Sequence, residues 1–247
     1  MEQGHTKETK SINMPNNSFT FKLFSVLQDR CAMKVGTDGV LLGAWANGGQ
    51  HILDIGTGTG LIALMMAQRY ADAEVTAVEI DHDAASQAIE NVAASPFGKR
   101  ISIVESDIQS FGPSCRFDSI VSNPPFFTGS MKNPDAQRAT ARHADTLTYR
   151  ELFAAASRLL SDCGEFSAVI PFDCLTAFTS EAYLAGLRLS RRCAIRTTPR
   201  KQPKRYLVAF CRQSNNCNME TGNECLMNAD GTRSEWYSQL TDGFYIK

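Results

Sequence analysis

Short apolar runs rich in β-branched residues alternate with helix-like segments through most of this chain. The runs that predict strands cover residues 51–55, 74–80, 101–104, 117–121, 165–170, 187–195 and 206–210, and the segments that predict helices cover 40–46, 61–70, 82–94, 149–160 and 174–185. Such alternation is typical of a parallel-rich sheet with helices on both faces. The pattern therefore predicts an α/β protein with one seven-stranded, mostly parallel sheet.

Length and composition agree with a single domain of this class. The chain has 247 residues, of which 43% are hydrophobic and 21% charged, as is ordinary for a globular protein. No apolar run approaches the roughly 18 residues that a membrane span needs, so no membrane partner is expected. Residues 1–17 are polar and lack the apolar core of a signal peptide. We expect them to be a mobile tail of a cytoplasmic protein.

The eight cysteines and four histidines do not form a metal-binding pattern. No two cysteines have Cys-x-x-Cys spacing and the histidines are scattered, whereas zinc sites need ligands at close spacing. We expect reduced thiols and no metal.

Basic residues are concentrated in residues 188–212. Nine of the 25 Lys and Arg residues lie there, and no Asp or Glu occurs between Glu181 and Glu220. Such a stripe is typical of a surface that binds a nucleic-acid backbone. The alternative is a solvated strand edge, where Lys and Arg block aggregation. The complete absence of acids favours nucleic-acid binding.

A glycine-rich loop follows the first strand of the alternating region. Gly56, Gly58 and Gly60 have G-x-G-x-G spacing, and Asp54 precedes them. The dinucleotide fingerprint is instead G-x-G-x-x-G, and a carboxylate beside the loop is a poor neighbour for a diphosphate. Asp54 suits an ammonium group, such as that of S-adenosylmethionine. Glu79 and Asp107 follow the next two strands, where they can accept hydrogen bonds from ribose hydroxyls and from an adenine amine.

Residues 122–126, with the sequence Ser-Asn-Pro-Pro-Phe, follow the fourth strand. Two prolines fix φ twice and produce a stiff extended turn. Such a turn can point the side-chain oxygen of Asn123 and the carbonyl of Pro124 at one amine, while Phe126 stacks on the ring that carries it. The alternative is a proline-rich surface turn followed by a core phenylalanine.

Together these elements resemble the class I S-adenosylmethionine-dependent methyltransferases of amino groups. The resemblance rests on four motifs, each at a predicted strand end: Asp54-x-Gly56-x-Gly58-x-Gly60, Glu79, Asp107 and Asn123-Pro124-Pro125-Phe126. It implies a Rossmann-like fold, with residues 18–247 as a single methyltransferase domain. It also implies S-adenosyl-L-methionine as cofactor, S-adenosyl-L-homocysteine as product and Asn123, Pro124 and Phe126 as catalytic residues, with Asn123 also near the cofactor.

A second resemblance lies outside those motifs. Residues 21–45 and 142–152 and the C-terminal Phe-Tyr-Ile-Lys are similar to the bacterial tRNA1(Val) adenine-N6 methyltransferases, which methylate the adenine 3′ to the anticodon. This resemblance implies a tRNA partner, cofactor contacts from Lys34 and Thr37, and an N-terminal covering element at residues 18–46. The candidates for RNA contact are Arg138, Arg142, His143, Arg200, Lys201, Lys204 and Arg205.

Three other functions stay open at this point. The Asn-Pro-Pro-aromatic motif also occurs in guanine-N2 methyltransferases of rRNA, and a glutamine amide of a protein presents an NH2 group to it equally well. The third is an RNA-binding module that has lost catalysis, although intact Asp54, Glu79 and Asn123 disfavour it. The sequence does not indicate an oligomeric state.

Overall fold

The computed structural model describes residues 17–125, 147–215 and 218–246. Within these ranges the strands are β1 (Ser18–Thr20), β2 (Ser25–Leu27), β3 (His51–Ile55), β4 (Glu74–Glu79), β5 (Ile101–Glu105), β6 (Phe117–Ser122), β7 (Leu160–Pro171), β8 (Leu187–Arg196), β9 (Arg205–Arg212) and β10 (Glu220–Cys225). The α-helices are α1 (Thr37–Trp45), α2 (Leu61–Arg69), α3 (His82–Ala93), α4 (Tyr149–Leu159), α5 (Leu175–Leu184) and α6 (Glu235–Thr241). No helix in the described ranges is long and apolar enough to cross a membrane.

The central sheet has the strand order β10-β8-β9-β7-β6-β3-β4-β5. Of its strands, β9 alone is antiparallel to its neighbours, β7 and β8, and every other pairing is parallel. The prediction of a mostly parallel sheet with helices on both faces is confirmed. Because the seven strands other than β9 run in one direction and end at the same edge of the sheet, this carboxyl edge carries the loops that can build a ligand site.

The predicted number of strands is wrong, because the part of the chain that the structure describes already contributes eight strands to the sheet. The additional strand is β10, which pairs in parallel with β8 at the sheet edge. Its sequence, Glu-Thr-Gly-Asn-Glu-Cys, has no apolar alternation, and its first four residues are exposed. It is therefore held by backbone hydrogen bonds rather than by a buried face, and a hydrophobic pattern does not reveal such a strand.

Two hydrophobic clusters lie on the two faces of the sheet. One joins α1 and α2 to the β1–β2 hairpin and the C-terminal residues, and the other joins α4 and α5 to the opposite face. In the second cluster the ring of Phe153 lies 4.6 Å from that of Phe178 and 5.2 Å from that of Phe210, between centroids. These contacts fix both helix layers against the sheet, so the carboxyl edge is a rigid base for its loops.

Polar caps set where the helices begin. Asp81 caps α3, since its carboxylate accepts a hydrogen bond from Ala84 N at 2.8 Å. At α4, Thr148 and Glu151 form a reciprocal capping box. Such caps satisfy backbone N–H groups that the first turn leaves unpaired.

Candidate active site

The glycine loop after β3 adopts a backbone conformation that requires glycine. Gly56, Gly58 and Gly60 have φ values of 71°, 56° and 82°, in the left-handed region that other residues avoid. The backbone N–H groups of Gly56 and Thr57 both donate to the carbonyl of Val78, at 2.9 and 3.2 Å. The loop therefore crosses the end of β4, and a Cβ atom placed on Gly56 would meet no atom within 4 Å.

Asp54 is fully buried at the end of β3, below the loop. Its Oδ2 accepts hydrogen bonds from Thr57 Oγ1 at 2.6 Å and from Ala63 N at 3.1 Å. Its Oδ1 is also buried and has no hydrogen-bond partner in the described ranges. Burial raises the pKa of Asp54 to about 7, against the opposing effect of the two hydrogen bonds. An unpaired buried carboxylate oxygen is costly unless a ligand supplies a donor.

Glu79 ends β4 beside the same loop. Its Oε2 accepts from Gly58 N at 2.8 Å, and its Oε1 accepts from Ile80 N at 2.9 Å and Asp81 N at 3.1 Å. Three backbone donors hold this carboxylate in one orientation. Because a carboxylate has about four acceptor positions and three are used, the group keeps acceptor capacity on Oε2 for an external hydroxyl.

Asp107 lies just past β5 and is half-buried. Its Oδ1 accepts from Gln109 N at 3.0 Å, and the preceding residue, Ser106, donates its backbone N–H to the carbonyl of Glu79 at 2.9 Å. The ends of β4 and β5 are thus joined. The three predicted carboxylates stand at the ends of three adjacent strands, as expected.

Asn123 leaves the sheet directly after β6. Its Nδ2 donates to the thioether sulfur of Met33 at 3.3 Å, while its Oδ1 is buried and has no partner in the described ranges. Pro124 is buried and Pro125 is exposed. The side chain therefore presents an unused acceptor, which suits an external N–H donor. Phe126, the predicted stacking residue, lies outside the described residues.

The segment between β2 and α1 lies over the glycine loop, and sequence analysis did not predict how it is held. Asn91 of α3, almost fully buried, accepts from Leu27 N at 2.8 Å and donates to the carbonyls of Leu27 and Thr59, both at 2.9 Å. Gln87, one turn earlier, accepts from Arg30 N at 3.2 Å and donates to Asp29 at 2.6 Å. These two amides join the segment, α3 and the loop.

The segment also reaches the loop directly. A Cβ atom placed on Gly58 would lie 3.4 Å from the sulfur of Cys31. Of the two predicted cofactor contacts in this region, Lys34 is exposed and Thr37 is the first residue of α1. Gly39, two residues later, packs against Leu61 at the start of α2, so Thr37 begins its helix near the end of the loop.

Several residues of the basic stretch are engaged in the fold. Arg191 forms a bidentate ion pair with Glu165, at 2.7 and 3.1 Å, and its guanidinium lies 4.0 Å from the centroid of the Trp45 ring. Arg212 donates to the carbonyls of Ser157 and Leu160. The sequence pattern could not show this, because the partners lie outside the acid-free stretch.

Arg205 pairs with Asp38 of α1. Burial raises the pKa of Asp38, and the Arg205 charge opposes that shift. Arg200, Lys201 and Lys204 are exposed in the loop of residues 197–204 that joins β8 to β9. This loop leaves the sheet at the carboxyl edge, as Asn123 does, so these three residues are the exposed part of the predicted basic surface. Arg138, Arg142 and His143 lie outside the described residues.

Within the described ranges no cluster of three or more His, Cys, Asp and Glu residues is suited to a metal ion. The donor set instead fits a ligand with an ammonium group, a ribose and an aromatic amine. The buried free oxygen of Asp54, the fixed carboxylate of Glu79 and the half-buried Asp107 supply acceptors for these groups in the order of the strands. The open glycine loop provides the space between them.

Comparison with known proteins agrees with this geometry. Residues 35–174 match the family model described as the methyltransferase small domain. A protein of Phocaeicola vulgatus named tRNA1(Val) (adenine(37)-N6)-methyltransferase is 50% identical over 235 residues, which cover 94% of this chain and 99% of the relative. Proteins of the same name from Aeromonas hydrophila and Porphyromonas gingivalis are 47% and 46% identical, and each alignment covers 94% of this chain, with 98% and 96% of the relative.

Solved structures support the fold. A predicted O-methyltransferase of Agrobacterium tumefaciens superposes with a TM-score of 0.63 at 19% identity, covering 84% of this chain and 96% of the other. A glycopeptide N-methyltransferase in complex with S-adenosyl-L-methionine superposes with a TM-score of 0.54 at 14% identity, covering 73% of this chain and 90% of the other.

Proposed function

This chain belongs to the methyltransferase small domain family, and from that premise we propose that it methylates N6 of adenine 37 in tRNA1(Val). It is an S-adenosyl-L-methionine-dependent methyltransferase, with S-adenosyl-L-homocysteine as product. Two relatives that align over almost their whole length, with about 50% of residues identical, carry that name, and this supports the tRNA substrate. We place its action in the bacterial cytoplasm, where that tRNA is found.

One observation carries the assignment of the catalytic residue. Asn123 Oδ1 is a buried acceptor with no partner in the described ranges, at the carboxyl end of β6 and beside the carboxylate-lined loop. A hydrogen bond from the exocyclic amine to this oxygen would satisfy it. The Pro124 carbonyl is the proposed second acceptor. Two such hydrogen bonds would favour a tetrahedral nitrogen, whose lone pair is no longer delocalised into the ring.

We assign the donor-binding roles to residues at the neighbouring strand ends. Asp54 Oδ1 would accept from the ammonium group, Glu79 from the ribose hydroxyls and Asp107 from the adenine amine, while Gly56, Gly58 and Gly60 let the backbone approach closely. When bound, S-adenosyl-L-methionine supplies an electrophilic methyl group on a sulfonium. The Asn123 acceptor would also stabilise the positive charge that develops on the attacking nitrogen.

The target base must leave its stack to reach this site. Phe126 is the proposed stacking partner for the flipped adenine. Residues 18–46 are proposed to cover the bound donor, because Asn91 and Gln87 hold this segment over the glycine loop.

The test is a labelled-methyl assay with total tRNA and, separately, total rRNA from a strain that lacks this protein. Nucleoside digestion and mass analysis should find N6-methyladenosine in tRNA alone. Asn123→Ala should abolish turnover and leave donor binding largely intact by calorimetry. Asn223→Ala, at an exposed position of β10, is the matched control and should be fully active.

Three outcomes would contradict the proposal. N2-methylguanosine in rRNA would identify a guanine methyltransferase, and label in neither RNA would point to a protein substrate. Equal loss of turnover and donor binding in Asn123→Ala would show that Asn123 does not have the catalytic role assigned to it.

A further inference from the structure

Two aromatic rings form a stack where β7 ends and β9 begins. Phe172 begins the short 3-10 turn Phe172–Cys174 after β7, and Tyr206 is the second residue of β9. Their ring centroids are 5.0 Å apart and their planes differ by 18°. This geometry is an offset stack, which a third flat ring can extend.

The stack is fixed in place but is not buried. Phe172 is 37% exposed, whereas Tyr206 packs partly against the second hydrophobic cluster. The backbone N–H of Phe172 donates to the carbonyl of Lys204 at 3.0 Å, and the guanidinium of Arg192 lies 5.6 Å from the centroid of the Tyr206 ring. An exposed phenylalanine held in this way presents flat apolar surface to an incoming group.

The stack lies at the same edge of the sheet as Asn123. In the register of β6 and β7, Ser122 lies opposite Ala168. Asn123 is one residue beyond this pair along the β6 direction, and Phe172 is four residues beyond it along the β7 direction. One strand spacing and three residues of rise separate them by on the order of 10 Å. That separation suits the nucleotide next to a flipped base rather than the base itself.

Positive charge surrounds this position. Arg200, Lys201 and Lys204 are exposed in the loop that supplies the carbonyl for Phe172. The exposed Asp173, next to Phe172, is the single carboxylate of the 3-10 turn and is outnumbered by these three cations. Aromatic rings interleaved with basic residues are the combination that binds unpaired nucleotides, since rings stack on bases and cations contact phosphates.

We propose that Phe172 and Tyr206 form a stacking platform for an unpaired nucleobase adjacent to the methylated adenine. This proposal rests on the proposed RNA methyltransferase function and adds a second base-binding position to it. The base stacks on the outer face of Phe172, and its phosphates lie towards Lys204 and Lys201. The platform thereby holds the neighbour of the target after the adenine has left its stack.

The test compares Phe172→Leu with Phe172→Trp in the full-length protein. Leucine keeps apolar bulk but has no flat ring, so KM for tRNA should rise about tenfold, whereas tryptophan should preserve it. The affinity for S-adenosyl-L-methionine and the melting temperature should be unchanged in both variants. Tyr183→Leu, at an exposed tyrosine near the other end of α5, is the matched control and should behave as wild type.

A fluorescence measurement locates the base directly. An anticodon stem-loop RNA carries 2-aminopurine at the position on either side of the target adenine, and stacking quenches its emission. The wild-type protein and Phe172→Trp should quench one of the two positions, and Phe172→Leu should not.

The outcomes separate the platform from the function that it serves. If Phe172→Leu keeps the wild-type KM and the wild-type quenching, the platform is overturned. If Asn123→Ala is inactive in the same experiments, the proposed function still stands. A parallel loss of donor affinity and melting temperature in Phe172→Leu would also overturn the platform, because the ring would then be structural. Failure of the wild-type protein to methylate any RNA would overturn both.

Discussion

The raised pKa of Asp54 predicts that donor binding depends on pH. Burial disfavours its charge in the unliganded protein and brings its pKa to about 7. A bound ammonium group would pair with the ionised carboxylate and lower that pKa again. Binding below neutral pH must therefore release a proton from Asp54, and the affinity should fall as the pH falls.

The size of the effect follows from the fraction of ionised Asp54. With a pKa of about 7, roughly 3% of the carboxylates are ionised at pH 5.5 and about three quarters at pH 7.5. The dissociation constant should therefore be about 25-fold larger at pH 5.5 than at pH 7.5, which corresponds to about 2 kcal/mol. The highest pH used for these binding measurements is 7.5, because the α-amino group of the free donor loses its own proton at about 7.7–8.0.

The stability of the unliganded protein should depend on pH in the opposite direction to its affinity for the donor. The folded-state pKa of Asp54 lies above its ordinary value of 3.8, so the contribution of Asp54 to stability is present below 3.8 and is lost as the pH rises through about 7. For this group alone, the unliganded protein is more stable at pH 5.5 than at pH 7.5. The bound donor should reduce this difference.

Isothermal titration calorimetry tests the argument with wild-type protein, Asp54→Asn and Asp118→Asn. Two buffers with different ionisation enthalpies report the released proton. Asp118 is a suitable control because its Oδ2 also accepts two backbone N–H groups, from Gln50 and His51, at the opposite edge of the sheet. Asp54→Asn should bind weakly at every pH with no slope, and Asp118→Asn should keep the slope. Equal slopes in wild type and Asp54→Asn would refute the reasoning.

Four further substitutions test other contacts. Asn91→Ala removes three hydrogen bonds and should lower the free energy of unfolding by about 2–4 kcal/mol in urea titrations. If the free energy of unfolding changes by less than about 0.5 kcal/mol, the amide is dispensable. Met33→Leu removes the acceptor that orients Asn123 and should lower kcat several-fold without changing donor affinity; an unchanged kcat would contradict that role. Lys201→Ala should reduce the slope of log Kd for tRNA against log salt by about one. Arg205→Ala should chiefly lower the melting temperature, because it breaks the pair with Asp38. A reduced salt slope and an unchanged melting temperature in Arg205→Ala would instead place Arg205 on the RNA.

The strand-end residues were predictable from sequence because their positions follow from local pattern. A β-branched run that stops at Asp54 or Glu79 indicates both a strand and its carboxyl end, and the parallel sheet brings those ends to one edge. Glycine spacing likewise predicted the loop that the positive φ values of Gly56, Gly58 and Gly60 confirm. The proposed catalytic and RNA-binding roles are still predictions.

The residues that hold the site together were not predictable in this way. Asn91 contacts Leu27, 64 residues away, and Met33 contacts Asn123, 90 residues away. Neither spacing corresponds to a helix face or a strand alternation, so only the tertiary fold reveals these contacts. In the basic stretch, Arg191 and Arg205 form ion pairs with Glu165 and Asp38, and the charge pattern did not reveal these contacts either.

The reversed direction of β9 has an evolutionary consequence. Because β9 runs against β8, the two strands are joined by the short loop of residues 197–204 rather than by a crossover helix. This loop lies at the same edge of the sheet as Asn123 and is separate from the glycine loop. The hydrogen bonds of Asp54 and Glu79 arise in the other half of the sheet. Mutations that lengthen or recharge the β8–β9 loop therefore alter the surface offered to a substrate and leave the hydrogen bonds of the glycine loop intact. A fold divided in this way can acquire new substrates by drift in one loop while it inherits the same methyl donor.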